Sequence, residues 1–288
     1  MKKILGIIGG SGVYDLSEVD IIRYHQIDTP WGKPSDSIIE CLYKEQSIFF
    51  IPRHGKNHTL SPSNINYRAN IDAFKQLGVT DVLSISAVGS LNESLVPGSF
   101  IILDQFLDLT KKRQTTFFED DIVVHVSMAY PTDKTLMDIS RSVLKNLSIN
   151  YHYGGSYVCI EGPQFSTYSE SKIYQQWQCD VIGMTSMPEA KLCREASIRY
   201  VNIGMITDFD CWHPDFENVE VTNVIKMLEK NSINAKKVIC EFISRYSQIT
   251  LKNQLNSFTS LVTPVNKIKK ETIKKLQNIM PELINNTK

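Results

Sequence analysis

Nowhere in the 288 residues does an uninterrupted apolar run approach the roughly 18 residues of a membrane-spanning helix, so the sequence offers no candidate span. Charge of one sign is equally lacking, because 31 Lys and Arg balance 31 Asp and Glu. That leaves no broad electrostatic surface for nucleic acid or membrane and favours a small-molecule partner. The six cysteines (Cys41, Cys159, Cys179, Cys193, Cys211, Cys240) are scattered, and none stands in a C-x-x-C pair. Such thiols in apolar segments read as reduced, packed side chains of a cytoplasmic protein, not as disulfides or zinc ligands. H-E-x-x-H is missing, so no metal is expected. The G-x-S-x-G elbow of many serine hydrolases is missing too. Gly9-Gly-Ser-Gly12 lacks the third glycine of the dinucleotide fingerprint, Asp15 standing in its place, and no P-loop lysine follows. A dinucleotide oxidoreductase is therefore a distant reading.

What the chain does have is enough apolar content, 42%, for a sizeable core. The start, Met1-Lys-Lys-Ile-Leu-Gly-Ile-Ile-Gly-Gly10, resembles a signal peptide only superficially, and Ile4 to Ile8 reads as a first buried strand. Strands are expected at 37–42, 48–51, 82–87, 100–106, 156–160, 181–184 and 198–206. Helices are expected at 64–77, 133–147, 170–177, 188–196 and 219–246, the last from Val221, Val224, Ile225, Leu228, Ala235, Val238, Ile239 and Phe242 at helical spacing. This alternation implies an α/β fold, a single domain with a central mixed β-sheet flanked by helices. The domain is expected over 1–247, with 248–288 a basic C-terminal extension, partly helical or poorly ordered, whose lysines face solvent.

Chemistry gathers where strands end. The run Tyr200-Val-Asn-Ile-Gly-Met-Ile206 breaks into Thr207-Asp-Phe-Asp-Cys-Trp212, placing Asp208 and Asp210 just past a buried strand. Ligands of open α/β sheets sit beyond such ends, and Asp208 is the first candidate for proton chemistry. Asp210 serves equally well as a helix cap or turn residue. Gly9-Gly-Ser-Gly12 can turn backbone N–H groups and the Ser11 hydroxyl onto an anion, or form a tight turn with no ligand. Arg53 and His54 close another strand with donors suited to phosphate, though a surface arginine paired with a carboxylate is the plainer reading. Ser86-Ala-Val-Gly-Ser90 and Gly183-Met-Thr-Ser186 repeat the pattern of a buried strand followed by hydroxyls. Phe165, after the Glu161-Gly-Pro-Gln164 turn, can stack on a flat heterocycle or simply pack.

Taken in order, these segments resemble the S-methyl-5′-thioadenosine phosphorylase branch of the trimeric purine nucleoside phosphorylases. The match runs through Gly6–Gly12, Asp28-Thr-Pro-Trp-Gly-Lys-Pro-Ser35, Arg53-His-Gly55 with His58-Thr59, Pro62-Ser63 and Asn66-Tyr67. It continues through Ala87-Val-Gly-Ser-Leu91, Asp104-Gln-Phe106, Ile160–Ser166, Met184-Thr185, Pro188-Glu189 and Thr207–Trp212, covering about residues 4 to 245. The resemblance implies a cytoplasmic pentosyltransferase, assembled as a homotrimer or dimer of trimers. It implies phosphate attack on C1′ of methylthioadenosine, releasing adenine and methylthioribose 1-phosphate for methionine and purine salvage. No cofactor is implied, phosphate being a co-substrate. By position, Ser11, Arg53, His54, Ser86 and Thr185 would hold phosphate, and Ala87 would line the substrate site. Met184 would lie against the ribose, and Phe165, Ser166, Asp208 and Asp210 would surround the purine. Val221, Val224 and Ile225 would line the methylthio pocket, although the same residues suit an ordinary core, and His125 would reach in from a neighbouring subunit.

Protonated Asp208 would donate to N7 of the leaving adenine and accept from its 6-amino group. Ser11 and Ser86 stand where many relatives carry threonine, and Gly183 where mammalian-type members carry asparagine. Gly183 keeps open a broader purine or 6-oxopurine preference (inosine, guanosine, methylthioinosine), against which Asp208 argues. A non-catalytic nucleoside-binding domain is the alternative from another class.

Overall fold

The computed structural model describes residues 3–13, 18–214, 221–250 and 255–286, and the side chains of 221–223 lie outside that set. The first buried run forms β1 (Leu5–Gly9), which lies parallel between β4 (Gln46–Pro52) and β5 (Asp81–Ser90). β5 also pairs in parallel with β11 (Arg199–Asp208) over most of its length, then antiparallel at Gly89 and Ser90 with β10 (Val181–Gly183). β10 continues parallel to β9 (Ser156–Cys159), and β9 to β7 (Gln105–Asp108). On the outer side, β2 (Asp20–His25) and β3 (Ile38–Tyr43) extend the sheet antiparallel from β4. β6 (Phe100–Leu103) and β8 (Tyr151–Tyr153) branch from β11, so the sheet is mixed, as the alternation of elements implies.

Helices cover both faces. Alternate residues of a strand point to opposite sides: Leu83 and Ile85 of β5 join a core with α2 (Lys134–Asn146) and α5 (Val221–Gln248). Val82 and Val88 join the other core, with α1 (Tyr67–Gln76) and α4 (Ser186–Glu195). A smaller cluster under α3 (Tyr168–Gln176) holds Tyr174, Val158 and Ile182.

Three departures from the sequence reading matter. The run 100–106 is two strands, since the chain changes partner at Asp104, whose carboxylate accepts from Gly155 N–H at 2.8 Å. Strand β11 continues through Asp208, with a register shift between Ile206 and Asp208, so the carboxylate belongs to the strand and does not lie beyond it. The boundary at 247/248 also does not separate an extension from the domain. Leu261 bridges Val124, and α6 (Lys270–Lys275), α7 (Glu282–Asn285) and the turn between them send Ile273, Leu276, Met280 and Leu283 into the core shared with α1. Asp121 accepts from Lys269 N–H and the Thr272 hydroxyl, each at 2.5 Å. Leu276 is 1% exposed, so Leu276→Ala should cost about 2–5 kcal/mol through lost burial and the cavity left behind. A urea titration would register it as a lower midpoint; a solvated extension would leave the midpoint unchanged.

Candidate active site

Five strand ends meet on one side of the sheet because β5 changes neighbours there: β1 leaves it after Ser84, while β10 joins at Gly89. The opening encloses a cavity of about 310 Å³. Ser11 enters it after β1, Arg53 and His54 after β4, Ala87 to Gly89 from β5, Gly183 to Thr185 from β10, and Thr207, Asp208 and Asp210 from β11. Phe165 and Ser166 close it from the turn after β9, and Val224 and Leu228 from α5.

Arg53 and His54 anchor one end. Arg53 is 1% exposed. Its Nε and Nη2 donate to Glu189 Oε2 and Oε1 at 2.8 and 3.2 Å, Nη2 also donates to Ser84 Oγ at 2.6 Å, and Nη1 donates to the Ile85 carbonyl at 3.0 Å. The guanidinium is therefore one half of an ion pair, as the plainer sequence reading has it, but the pair is buried in the core and not at the surface. Burial alone works against its charge, and Glu189 more than offsets that, raising its pKa. Gly10 allows this close arrangement, since a Cβ there would stand 2.7 Å from Nη1 and 2.4 Å from the Ile85 carbonyl oxygen. His54 Nδ1 lies 2.9 Å from the Leu60 carbonyl oxygen, and its ring stacks on His58 at 4.3 Å. Burial, then the Arg53 charge, pushes its pKa down to about 4, so the ring is neutral.

Two carboxylates stand at the other end. Asp208 Oδ2 lies 2.6 Å from Thr207 Oγ1, and Oδ1 accepts from Asp210 N–H at 2.9 Å. Burial raises its pKa, against the pull of those two bonds. Asp210 is pushed up to about 6 by burial, with the Asp208 charge adding to the rise. Thr207 Oγ1 also lies 3.2 Å from the Val88 carbonyl. Its single proton cannot serve both acceptors, so when it turns to Val88 the oxygen is free to accept from a protonated Asp208. Phe165, 47% exposed, lies at the cavity wall without being core packing. Ser166 Oγ is buried with no hydrogen-bond partner among the described residues, a polar group open to a ligand.

Several expected residues fall elsewhere. Ser86 lies behind the wall, 1% exposed, its hydroxyl accepting from Asn202 Nδ2 at 2.7 Å. Ile225 does not line the cavity and is 48% exposed, since it is one helical step round from Val224. The side chain of Val221 lies outside the described residues. His125 is exposed and away from the cavity of its own chain, its N–H donating to the Ser260 carbonyl at 3.0 Å. The sequence reading gave no role to the polar layer behind Arg53, where Tyr200 hydroxyl donates to Glu189 at 2.8 Å and Asn202 to Ser84 at 2.9 Å. It also gave none to Glu161, which pins the Phe165 turn by accepting from Lys111 and Lys112 N–H. Burial would raise Glu161, but bonds from Ser63 and these amides, together with the Arg113 charge, hold it at about 2. Among the described residues, no group of three or more His, Cys, Asp or Glu side chains could hold a metal ion.

The Phosphorylase superfamily matches residues 4–244. The chain belongs to that family. An S-methyl-5′-thioadenosine phosphorylase of Rhodospirillum rubrum is 51% identical over 238 residues, covering 83% of this chain and 81% of the relative. One from Bradyrhizobium diazoefficiens is 45% identical, covering 96% of this chain and 97% of its own. A crystal structure of a methylthioadenosine phosphorylase from an Antarctic soil metagenomic library superposes with a TM-score of 0.92 at 44% identity, covering 97% and 99% of the two chains. The Schistosoma mansoni methylthioadenosine phosphorylase in complex with adenine gives 0.84 at 37% identity, covering 86% of this chain and 93% of that one.

Within this phosphorylase fold, Gly183 has a local reason. A Cβ there would meet the Tyr157 hydroxyl at 2.2 Å, and that hydroxyl accepts from Thr185 N–H at 3.1 Å. Gly183→Ala should therefore displace a fully buried ring at a cost of about 1–3 kcal/mol. Thermal unfolding would register it, and an unchanged midpoint would show that the wall yields freely.

Proposed function

We propose that this chain is an S-methyl-5′-thioadenosine phosphorylase, splitting the nucleoside with inorganic phosphate into adenine and 5-methylthioribose 1-phosphate. The observation that carries the reading is a single cavity with Arg53, His54, Ser11 and Thr185 at one end and Asp208 and Asp210 at the other. Breaking an N-glycosidic bond builds positive charge on the sugar and negative charge on the base, and each end of the cavity answers one of these. Phosphate seated among Ser11, Arg53, His54 and Thr185 attacks C1′. Its electrons form the new C1′–O bond while those of the C1′–N9 bond leave with adenine. Asp208, its pKa raised by burial, donates in its acid form to N7 as charge develops there. Asp210 and Ser166 lie beside the base, Met184 against the ribose, and Phe165 across the purine face. Val224 and Leu228 supply an apolar 5′ end suited to a thioether.

A carboxyl that donates to N7 and accepts from a 6-amino group disfavours 6-oxopurines, because a mismatched base leaves a buried polar group unpaired. The reading needs no metal or organic cofactor. It extends to a homotrimer in which His125 of each chain reaches a neighbouring cavity, and to a cytoplasmic salvage role. Among the described residues no helix is long and apolar enough to cross a membrane.

The test is to incubate the protein with methylthioadenosine, adenosine, inosine and methylthioinosine, each with and without phosphate, and to measure free base. Phosphate-dependent release of adenine from methylthioadenosine is expected. Equal release without phosphate would make the protein a hydrolase, and preference for inosine would move it to the 6-oxopurine branch.

A further inference from the structure

We infer that Arg113 is a positioning residue for the reaction: from behind the cavity wall it fixes the turn carrying Phe165 and Ser166 against the segment carrying Met184 and Thr185, so that base and sugar are held in register. This builds on the phosphorolytic reading and names a group on which the geometry of that site depends.

Arg113 does not line the cavity, and its side chain is 1% exposed. All five N–H groups of its guanidinium have an acceptor within the chain. Nη1 donates to the Met187 carbonyl at 2.6 Å and to the Tyr67 hydroxyl at 3.3 Å, Nη2 to the Glu161 and Ile160 carbonyls at 3.0 and 3.4 Å, and Nε to Glu161 Oε1 at 3.4 Å. A rigid planar fork spans acceptors on two segments at once, in fixed directions that the point charge of an ammonium does not reproduce. Both segments lead into the cavity. Glu161 opens the turn that ends in Phe165 and Ser166, and Met187 lies two residues beyond Thr185. Met187 is extended there, with φ −116° and ψ 133°, the conformation that a following proline favours.

On the cavity side the same two segments touch. A Cβ on Gly162 would stand 2.4 Å from Met184 Sδ, so the turn rests directly on the methionine placed against the ribose. With that contact in front and the guanidinium behind, neither segment shifts without the other. Arg113 is itself held from both sides along the chain. Lys111 and Lys112 N–H donate to Glu161 Oε2 at 2.5 and 3.0 Å, while Thr116 Oγ1 and Phe117 N–H donate to Glu195 Oε1 and Oε2, each at 2.7 Å. A misplacement of about 1 Å, caused far from the reacting atoms, can cost on the order of 10²-fold in rate.

Arg113→Met and Arg113→Lys test this beside the wild type, with thermal unfolding giving the folded fraction to which kcat is normalised. In Arg113→Met, kcat on methylthioadenosine should fall about 10²-fold, while adenine alone and phosphate alone, titrated by calorimetry, keep near wild-type affinity. The lysine variant keeps the charge without the fork and should show the same split. It carries the test by itself if the methionine variant does not fold. A loss of turnover that disappears on normalisation, equal losses in kcat and in both affinities, or wild-type kcat in Arg113→Lys would each overturn the inference. Failure of the phosphorolytic reading would show in the wild type instead, as base release indifferent to phosphate, whatever the variants do.

Discussion

Asp208→Asn is expected to lower kcat on methylthioadenosine by roughly 10²–10⁴-fold, the range in which a positioned general acid contributes, while the unfolding midpoint stays near that of the wild type. The amide keeps an oxygen to accept from Asp210 N–H, the bond that ties the turn after β11 to the strand. It has no carboxyl proton to release to N7. The pH dependence follows from the direction of the shift. Burial raises the Asp208 pKa, so the acid form survives further into neutral pH than an ordinary carboxyl would allow. Activity falls as pH rises through that raised value. Stability carries the same sign, because a carboxyl that holds its proton more tightly when folded favours the folded state at low pH. That contribution is lost as pH rises from the unfolded to the folded pKa. Asn should abolish the alkaline fall in kcat that Asp208 causes. Steady-state kinetics against pH would decide the matter, and wild-type turnover in the variant would remove Asp208 from the chemistry.

The second large effect is structural before it is kinetic. From sequence, Arg53→Ala reads as a loss of phosphate use. The structure adds a stability cost of about 3–5 kcal/mol, because the substitution leaves Glu189 buried without its charge partner. Adding Glu189→Gln to Arg53→Ala should recover part of that loss, since the uncompensated charge disappears. A double-mutant cycle by urea unfolding measures the coupling. Additive single effects would show that the pair is not a unit, and an unchanged midpoint for Arg53→Ala would show that the guanidinium acts on the anion alone.

The order of the fold was legible wherever one element buries both its faces or shows a clear stripe. The runs that became β1, β5 and β11 are rich in apolar residues and nearly all buried, and α5 repeats its buried residues at helical spacing. β2 escaped because Asp20-Ile-Ile-Arg-Tyr-His25 is an edge strand with most of its side chains exposed, so no burial imposes alternation on it. Asp208 stood out because a carboxylate ending an apolar run has little reason to be there. Glu189 did not, since a carboxylate in the first turn of a helix already has an ordinary explanation in the helix dipole. Its signal lay in a second pattern. Tyr200 and Asn202 on β11 and Ser84 and Ser86 on β5 are polar residues two apart in otherwise apolar strands, and they form the layer that receives Glu189. Period two explains Ser86 as well: it shares the face of Ser84 and turns inward to Asn202, leaving the cavity to Ala87. The 264–288 segment reads as a solvated basic tail because its lysines are abundant while Ile273, Leu276 and Met280 are few, and only the fold shows what those few reach.

That reach has a consequence for how the protein is made. Asp72 of α1 accepts from Trp31 Nε1, from Gln76 and from Asn278, while Lys275 lies over the Trp31 ring. Residues separated by some two hundred positions thus close one corner of the molecule. A nascent polypeptide still tethered to the ribosome before residue 280 can pair β1, β4 and β5, yet must leave Ile71 and Phe74 without their last apolar neighbours. Sealing of that corner waits for residues 273–283, and until then the growing chain presents a greasy surface of the kind that chaperones bind.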